Sequence, residues 1–148
     1  MKTAIIYASI HHGNTKKLVD AISSEFDVDL IDATKTTAAS LKDYDLIGFA
    51  SGIYAFKFHQ AIINFASQNL PENKKIFFLT TSAMDKDFSK SMNEALQGKN
   101  AEIVGKFSCP GFNTFGPFKL VGGTNKGRPN EADVKNAVEF YRKLVEAE

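Results

Sequence analysis

The chain has 148 residues, 43% apolar and 24% charged, the proportions of one folded domain and not of a disordered segment. No apolar run is longer than about five residues, far short of the ~20 that a bilayer-spanning helix needs, so neither a membrane span nor a secretory leader is expected and the cytoplasm is the natural location. Eighteen basic residues nearly cancel seventeen acidic ones, which leaves no overall field to attract nucleic acid or an anionic membrane. A single cysteine, Cys109, cannot form an internal disulfide, and with three scattered histidines it offers no metal-binding cluster.

In chain order, five short apolar runs rich in Ile, Val, Phe and Leu are predicted as buried strands: Thr3 to Ala8, Val28 to Asp32, Leu46 to Ser51, Ile76 to Thr81 and Ile103 to Cys109. The intervening segments carry helical spacing. Leu18, Ile22 and Phe26 share one face; Phe58, Ile62 and Phe65 a second; Phe88, Met92 and Leu96 a third; and Val134, Val138, Tyr141 and Val145 a last. Only the polar stretch from Ala33 to Asp43 shows no clear period. Alternating strands and helices predict an α/β domain, a doubly wound parallel sheet with helices on both faces. The segment from Pro110 to Asn130 is aperiodic and holds half the glycines. It reads either as a flap that uses Phe112, Phe115 and Phe118 with Lys119, Lys126 and Arg128, or as a connection packed on the edge strand.

Ligands of such sheets lie beyond the carboxyl ends of the strands, where the winding reverses. The first strand ends in Ser9-Ile10-His11-His12-Gly13-Asn14-Thr15 and runs straight into an amphipathic helix. Gly13 permits a sharp turn, Ser9, Asn14 and Thr15 bring side-chain donors, and the helix start adds N–H groups, which together suit one phosphate. Neither G-x-G-x-x-G nor G-x-x-x-x-G-K-[ST] is present. Asn14 and Thr15 also read as ordinary helix caps. His11 and His12 read equally as phosphate contacts or as solvent-facing residues, while His59 reads as a surface or cap residue of the second helix.

The third strand ends in Ser51-Gly52-Ile53-Tyr54-Ala55-Phe56 and the fourth in Thr80-Thr81-Ser82-Ala83-Met84. A flat heteroaromatic ring between these loops gains stacking from Tyr54 or Phe56, so phosphate plus ring points to a mononucleotide.

At these residues the chain resembles the flavodoxin family, most specifically in Ile5-Ile6-Tyr7-Ala8-Ser9 leading to Gly13-Asn14-Thr15, although the loop is one residue longer than usual through His11-His12. The resemblance spans nearly the whole chain. It implies strand order 2-1-3-4-5, non-covalently bound FMN and electron transfer. It implies further that Gly52 is the glycine whose peptide turns over to accept a hydrogen bond from flavin N5, that Tyr54 or Phe56 stacks on the ring, and that Thr81, Ser82 and Ala83 line its edge. Ser51 and Ile53 belong to the same second loop.

Since no loop holds a cysteine or a Ser/His/Asp constellation, any hard chemistry falls to a cofactor. The preferred reading is an electron carrier working with a redox partner protein, as a monomer or weak dimer. The alternative is an FMN-dependent oxidoreductase acting on a quinone-like or porphyrin-like molecule. A receiver-type signalling domain has the same topology but needs carboxylates where this chain has Ser9 and Ser51.

Overall fold

A computed structural model describes residues 1–9, 13–111 and 127–147. The first strand, β1 (Thr3–Ala8), leads to α1 (Asn14–Glu25), and then come β2 (Val28–Asp32) and β3 (Leu46–Tyr54). A two-residue strand β4 (Lys57–Phe58) precedes α2 (Gln60–Asn69) and β5 (Lys75–Ser82). A 3-10 turn (Ser89–Met92), the short α3 (Asn93–Leu96), β6 (Glu102–Pro110) and α4 (Glu131–Ala147) complete the order. Strands β2-β1-β3-β5-β6 form the sheet in that spatial order, all parallel, while β4 pairs antiparallel with the end of β3. Setting β4 aside, this is the 2-1-3-4-5 order, with helices on both faces.

The alternation of side chains along each strand feeds two cores. Ala4, Ile6 and Ala8 of β1, with Phe49 and Phe78, pack under Ile62 and Phe65 of α2. Ile5, Ala50, Phe77 and Leu79 face the other way, under Val19 and Ile22 of α1 and Val138 and Tyr141 of α4. Tyr141 donates its buried hydroxyl to Thr3 Oγ1 at 2.9 Å and fastens α4 to β1. Leu41 of the segment without a period is also buried, in the α2 core.

Three expectations need correction. The edge strands β2 and β6 are largely half-buried or exposed and not buried on both faces, because each has a neighbour on one side only. The third helix shrinks to the 3-10 turn and one turn of α3, with Phe88 ahead of both; Asp87 caps Ser89 N–H and Gly98 at φ 78° closes the far end. Finally, β3 runs three residues past Ser51, where the sequence ended it, and takes in Gly52.

Candidate functional site

The strand register sets the carboxyl ends in one row: Ala8 lies opposite Ser51, Ser51 opposite Thr80, Gly52 opposite Thr81, and Thr81 opposite Cys109. At this row the chain leaves β1 and enters α1 through Gly13, whose φ of 64° lies in the left-handed region that a glycine occupies without penalty. Among the described residues, no atom beyond its chain neighbours lies within 4 Å of where a Cβ would stand on Gly13. The first turn of α1 has no acidic residue. Its Lys16 N–H donates to Ser9 Oγ at 3.1 Å, and Lys17 N–H closes the first intrahelical bond, onto the Gly13 carbonyl. A hydroxyl oxygen that accepts from Lys16 keeps its own proton, so Ser9 remains a donor.

Thr15 and Thr81 meet across the sheet, Oγ1 to Oγ1 at 3.1 Å, with exposures of 1% and 3%. One hydrogen bond between two hydroxyls uses one proton and leaves the other to donate. Asn14 is buried beside them, and a Cβ on Gly111 would come within 2.8 Å of Asn14 Nδ2 and 3.2 Å of Thr81 Cβ. Gly111 N–H donates to the Ser82 carbonyl. Gly111 therefore belongs to the site through close approach. Its position just after the fifth apolar run was its only sequence signal.

The other positions divide. Ser51 is fully buried and its hydroxyl is occupied by its own backbone: it donates to the Gly52 carbonyl and accepts from His59 N–H at 2.9 Å. It pins the turn into α2 and does not present a donor to the loop row. Ile53 packs against the α2 core. Ser82 Oγ accepts from Met84 N–H and shapes the third loop, whose Ala83 is half-buried. His11 and His12, with Phe112, Phe115, Phe118, Lys119 and Lys126 of the long segment, lie outside the described residues.

Tyr54 and Phe56 go different ways. The tight β3–β4 hairpin turns through Ala55 (φ 50°) and Phe56 (φ 67°), two non-glycine residues in the left-handed region. Phe56 is 66% exposed at the tip, its ring 6.1 Å from Phe88. Tyr54 instead folds back: a Cβ on Gly52 would sit 2.8 Å from the Tyr54 hydroxyl and 3.0 Å from Cζ. Gly52 thus leaves room for the Tyr54 ring, and its φ is not positive. His59, absent from the sequence-based site, meets Tyr54 edge to face at 5.4 Å and caps α2 by accepting from Ala61 N–H at Nδ1. Burial holds its pKa below 6.5, partly countered by the charge of Asp32. Cys109 is buried, and its thiol is pushed up to about 12, chiefly by desolvation, so it is not a nucleophile at neutral pH.

Comparison with known proteins agrees with this arrangement. A family model described as a flavodoxin domain matches residues 4–111. The chain belongs to the flavodoxin family. An uncharacterised protein of Methanocaldococcus jannaschii, MJ0298, is 41% identical over 148 residues, which cover 98% of this chain and 99% of that protein. Among solved structures, a Fusobacterium nucleatum flavodoxin bound to flavin mononucleotide superimposes with a TM-score of 0.66 at 13% identity, over 99% of each chain. Oxidised Flavodoxin 2 of Bacillus cereus does so with a TM-score of 0.64 at 21% identity, over the whole of both chains. The stretch matched by the family model ends at Gly111, the residue that closes on Asn14 and Thr81. Among the described residues no helix is long and apolar enough to cross a membrane.

Proposed function

We propose that this chain binds FMN without a covalent link and passes electrons between partner proteins through it. The observation that carries the reading is the contact of Thr15 with Thr81 beside an acid-free helix start led by Gly13. The residues present fit a phosphate: Ser9 and the Thr15/Thr81 pair each keep a proton to donate, the start of α1 favours an anion, and among the described residues nothing crowds Gly13. The contrast with α4 supports this. There Asn130 and Asp133 cap each other's N–H groups at 2.8 and 2.9 Å, and Arg128 adds two bonds to the same carboxylate, so that helix end is satisfied by its own chain.

When bound, the flavin supplies one- and two-electron transfer. The chain's residues hold and shield it. Thr15, Thr81 and Ser9 orient the phosphate; Tyr54, backed by His59 and floored by Gly52, gives an aromatic face; and the third loop from Ser82 borders the edge. Phe56 turns toward Phe88, which favours Tyr54 over Phe56 as the stacking ring. The carrier reading is preferred to an FMN-dependent oxidoreductase with its own small substrate because no sequence motif here recognises a nicotinamide that would feed such an enzyme. On this reading the chain works with a redox partner protein.

The test is the visible spectrum of the freshly purified protein, followed by calorimetric titration of the flavin-free protein with FMN and with riboflavin. A yellow protein that binds FMN one to one and more tightly than riboflavin supports the reading. A colourless protein that ignores FMN ends it.

A further inference from the structure

The most exposed large apolar side chain among the described residues is Phe56, 66% exposed at the tip of the β3–β4 hairpin. It stands at a φ of 67°, a conformation that bulky residues rarely adopt. A strained backbone that carries an uncovered aromatic ring is a cost to the free chain, and burial of the ring against another molecule offsets it. The tip is also held in place. Ser91 Oγ accepts from Phe58 N–H at 3.1 Å and donates to the Phe88 carbonyl at 3.0 Å, so one hydroxyl clasps the hairpin to the third loop. Phe56 and Phe88, 6.1 Å apart, therefore form a platform that a partner does not have to order on contact.

The rim of the platform is basic. Lys57 follows Phe56 in the chain, Lys86 and Lys90 lie two residues to either side of Phe88, and all three are exposed. Of the two carboxylates there, Asp85 and Asp87, the second accepts from Lys106 Nζ at 3.0 Å. Four lysines against two aspartates give this face a net charge of +2, above the formal +1 of the whole chain, so the remainder of the chain is net negative. Positive charge is thus gathered around the exposed rings.

We propose that the Phe56–Phe88 platform is the docking face for the redox partner, and that this partner is an acidic protein with an apolar centre ringed by Asp and Glu. The proposal rests on the flavin reading, because Tyr54 stands two residues before Phe56 on the same hairpin and a partner seated on the tip lies next to the aromatic face that Tyr54 offers. The two rings bury against the partner's apolar centre. The lysines attract its carboxylates, speed encounter and turn basic proteins away. A single aromatic knob with a charged rim suits the interfaces below about 1,200 Å² that weak electron-transfer encounters use.

The test titrates the nitrogen-15-labelled protein with two redox proteins of opposite charge, a strongly acidic two-iron ferredoxin and a basic cytochrome c, and follows the backbone amides by NMR. Saturable shifts confined to the hairpin and the third loop are expected with the ferredoxin, weakening as added salt shortens the screening length, and none there with cytochrome c. Phe56→Asn, a residue that tolerates the left-handed region, and the paired change Lys57→Glu with Lys86→Glu should each weaken ferredoxin binding by about tenfold or more. The variants' own amide spectra report that they have folded. Absence of saturable shifts at these residues, tighter docking of cytochrome c there, or undiminished ferredoxin binding by the charge-reversed variant overturns the proposal. Calorimetric titration of the same samples with FMN separates the two readings: a protein that takes FMN but does not dock ferredoxin here refutes only the docking face, while one that docks ferredoxin and ignores FMN refutes the cofactor assignment and supports the face itself.

Discussion

Ala55 and Phe56 hold a backbone conformation that costs an L residue roughly 1–2 kcal/mol relative to its ordinary regions, since Cβ crowds the following carbonyl. Tight hairpins usually meet that demand with Asn-Gly or Asp-Gly. Ala55→Gly should therefore stabilise the fold, by about 0.5–1 kcal/mol once the extra freedom of glycine in the unfolded chain is counted. Urea unfolding measures it, and a lower midpoint for the variant would show that the turn is not strained there. Thr15 supports a second expectation. Its hydroxyl is buried against Thr81, and losing a donor to a charged acceptor costs about 1.5–3 kcal/mol. Thr15→Ala should weaken FMN by roughly 10- to 100-fold and riboflavin far less, because riboflavin lacks the phosphate. Equal losses in parallel calorimetric titrations would make Thr15 a packing residue and nothing more.

At the scale of elements, the central strands were legible because a sheet buried on both faces writes them as unbroken apolar runs: Ile5-Ile6, Leu46-Ile47 and Phe77-Phe78 all sit in the two cores. The same rule made too much of β2 and β6, whose outer edges lack a strand neighbour. The β3–β4 hairpin was hidden because its turn uses Ala55-Phe56 in place of a turn dipeptide, so β3 runs on past the apolar run that marked it. Thr15 and Thr81 were both legible as donors, but their meeting depends on register across three strands, which a linear pattern does not carry. The start of α2 was legible in His59, one of whose two readings was a helix cap, and it yields a pH test. His59 Nδ1 accepts from Ala61 N–H only when that nitrogen is unprotonated, and burial holds the folded pKa below 6.5. Below pH 6.5 the unfolded chain thus binds the proton first, and the stability this cap contributes, full above 6.5, is lost as pH falls through the folded pKa. His59→Asn keeps a cap acceptor and does not titrate. Its stability relative to wild type should be constant above pH 7 and move in the variant's favour between pH 6.5 and 5. Unfolding curves with the same offset at both ends of that range would remove His59 as the cause.

At the scale of the whole molecule, charge decides what kind of carrier the proposed cofactor would make. The chain is nearly balanced, with a formal charge of +1 at pH 7. The only carboxylates in the third-loop region are Asp85 and Asp87, and Asp87 is neutralised by Lys106. Lys57 and Lys86 are exposed on the same two loops, so these described loops carry no net negative charge. Two-electron reduction of a bound flavin leaves added negative charge in the site, and like charges nearby are what make that step costly. Such charges are abundant in strongly acidic flavodoxins. The second, lower reduction potential should accordingly be less negative here than in an acidic flavodoxin measured in the same buffer. It should also change little with ionic strength, since salt has little repulsion to screen. Spectroelectrochemistry of the FMN-loaded protein at low and high salt checks both parts. A strongly negative second potential that rises steeply with added salt would mean that the flavin feels carboxylates outside these two loops.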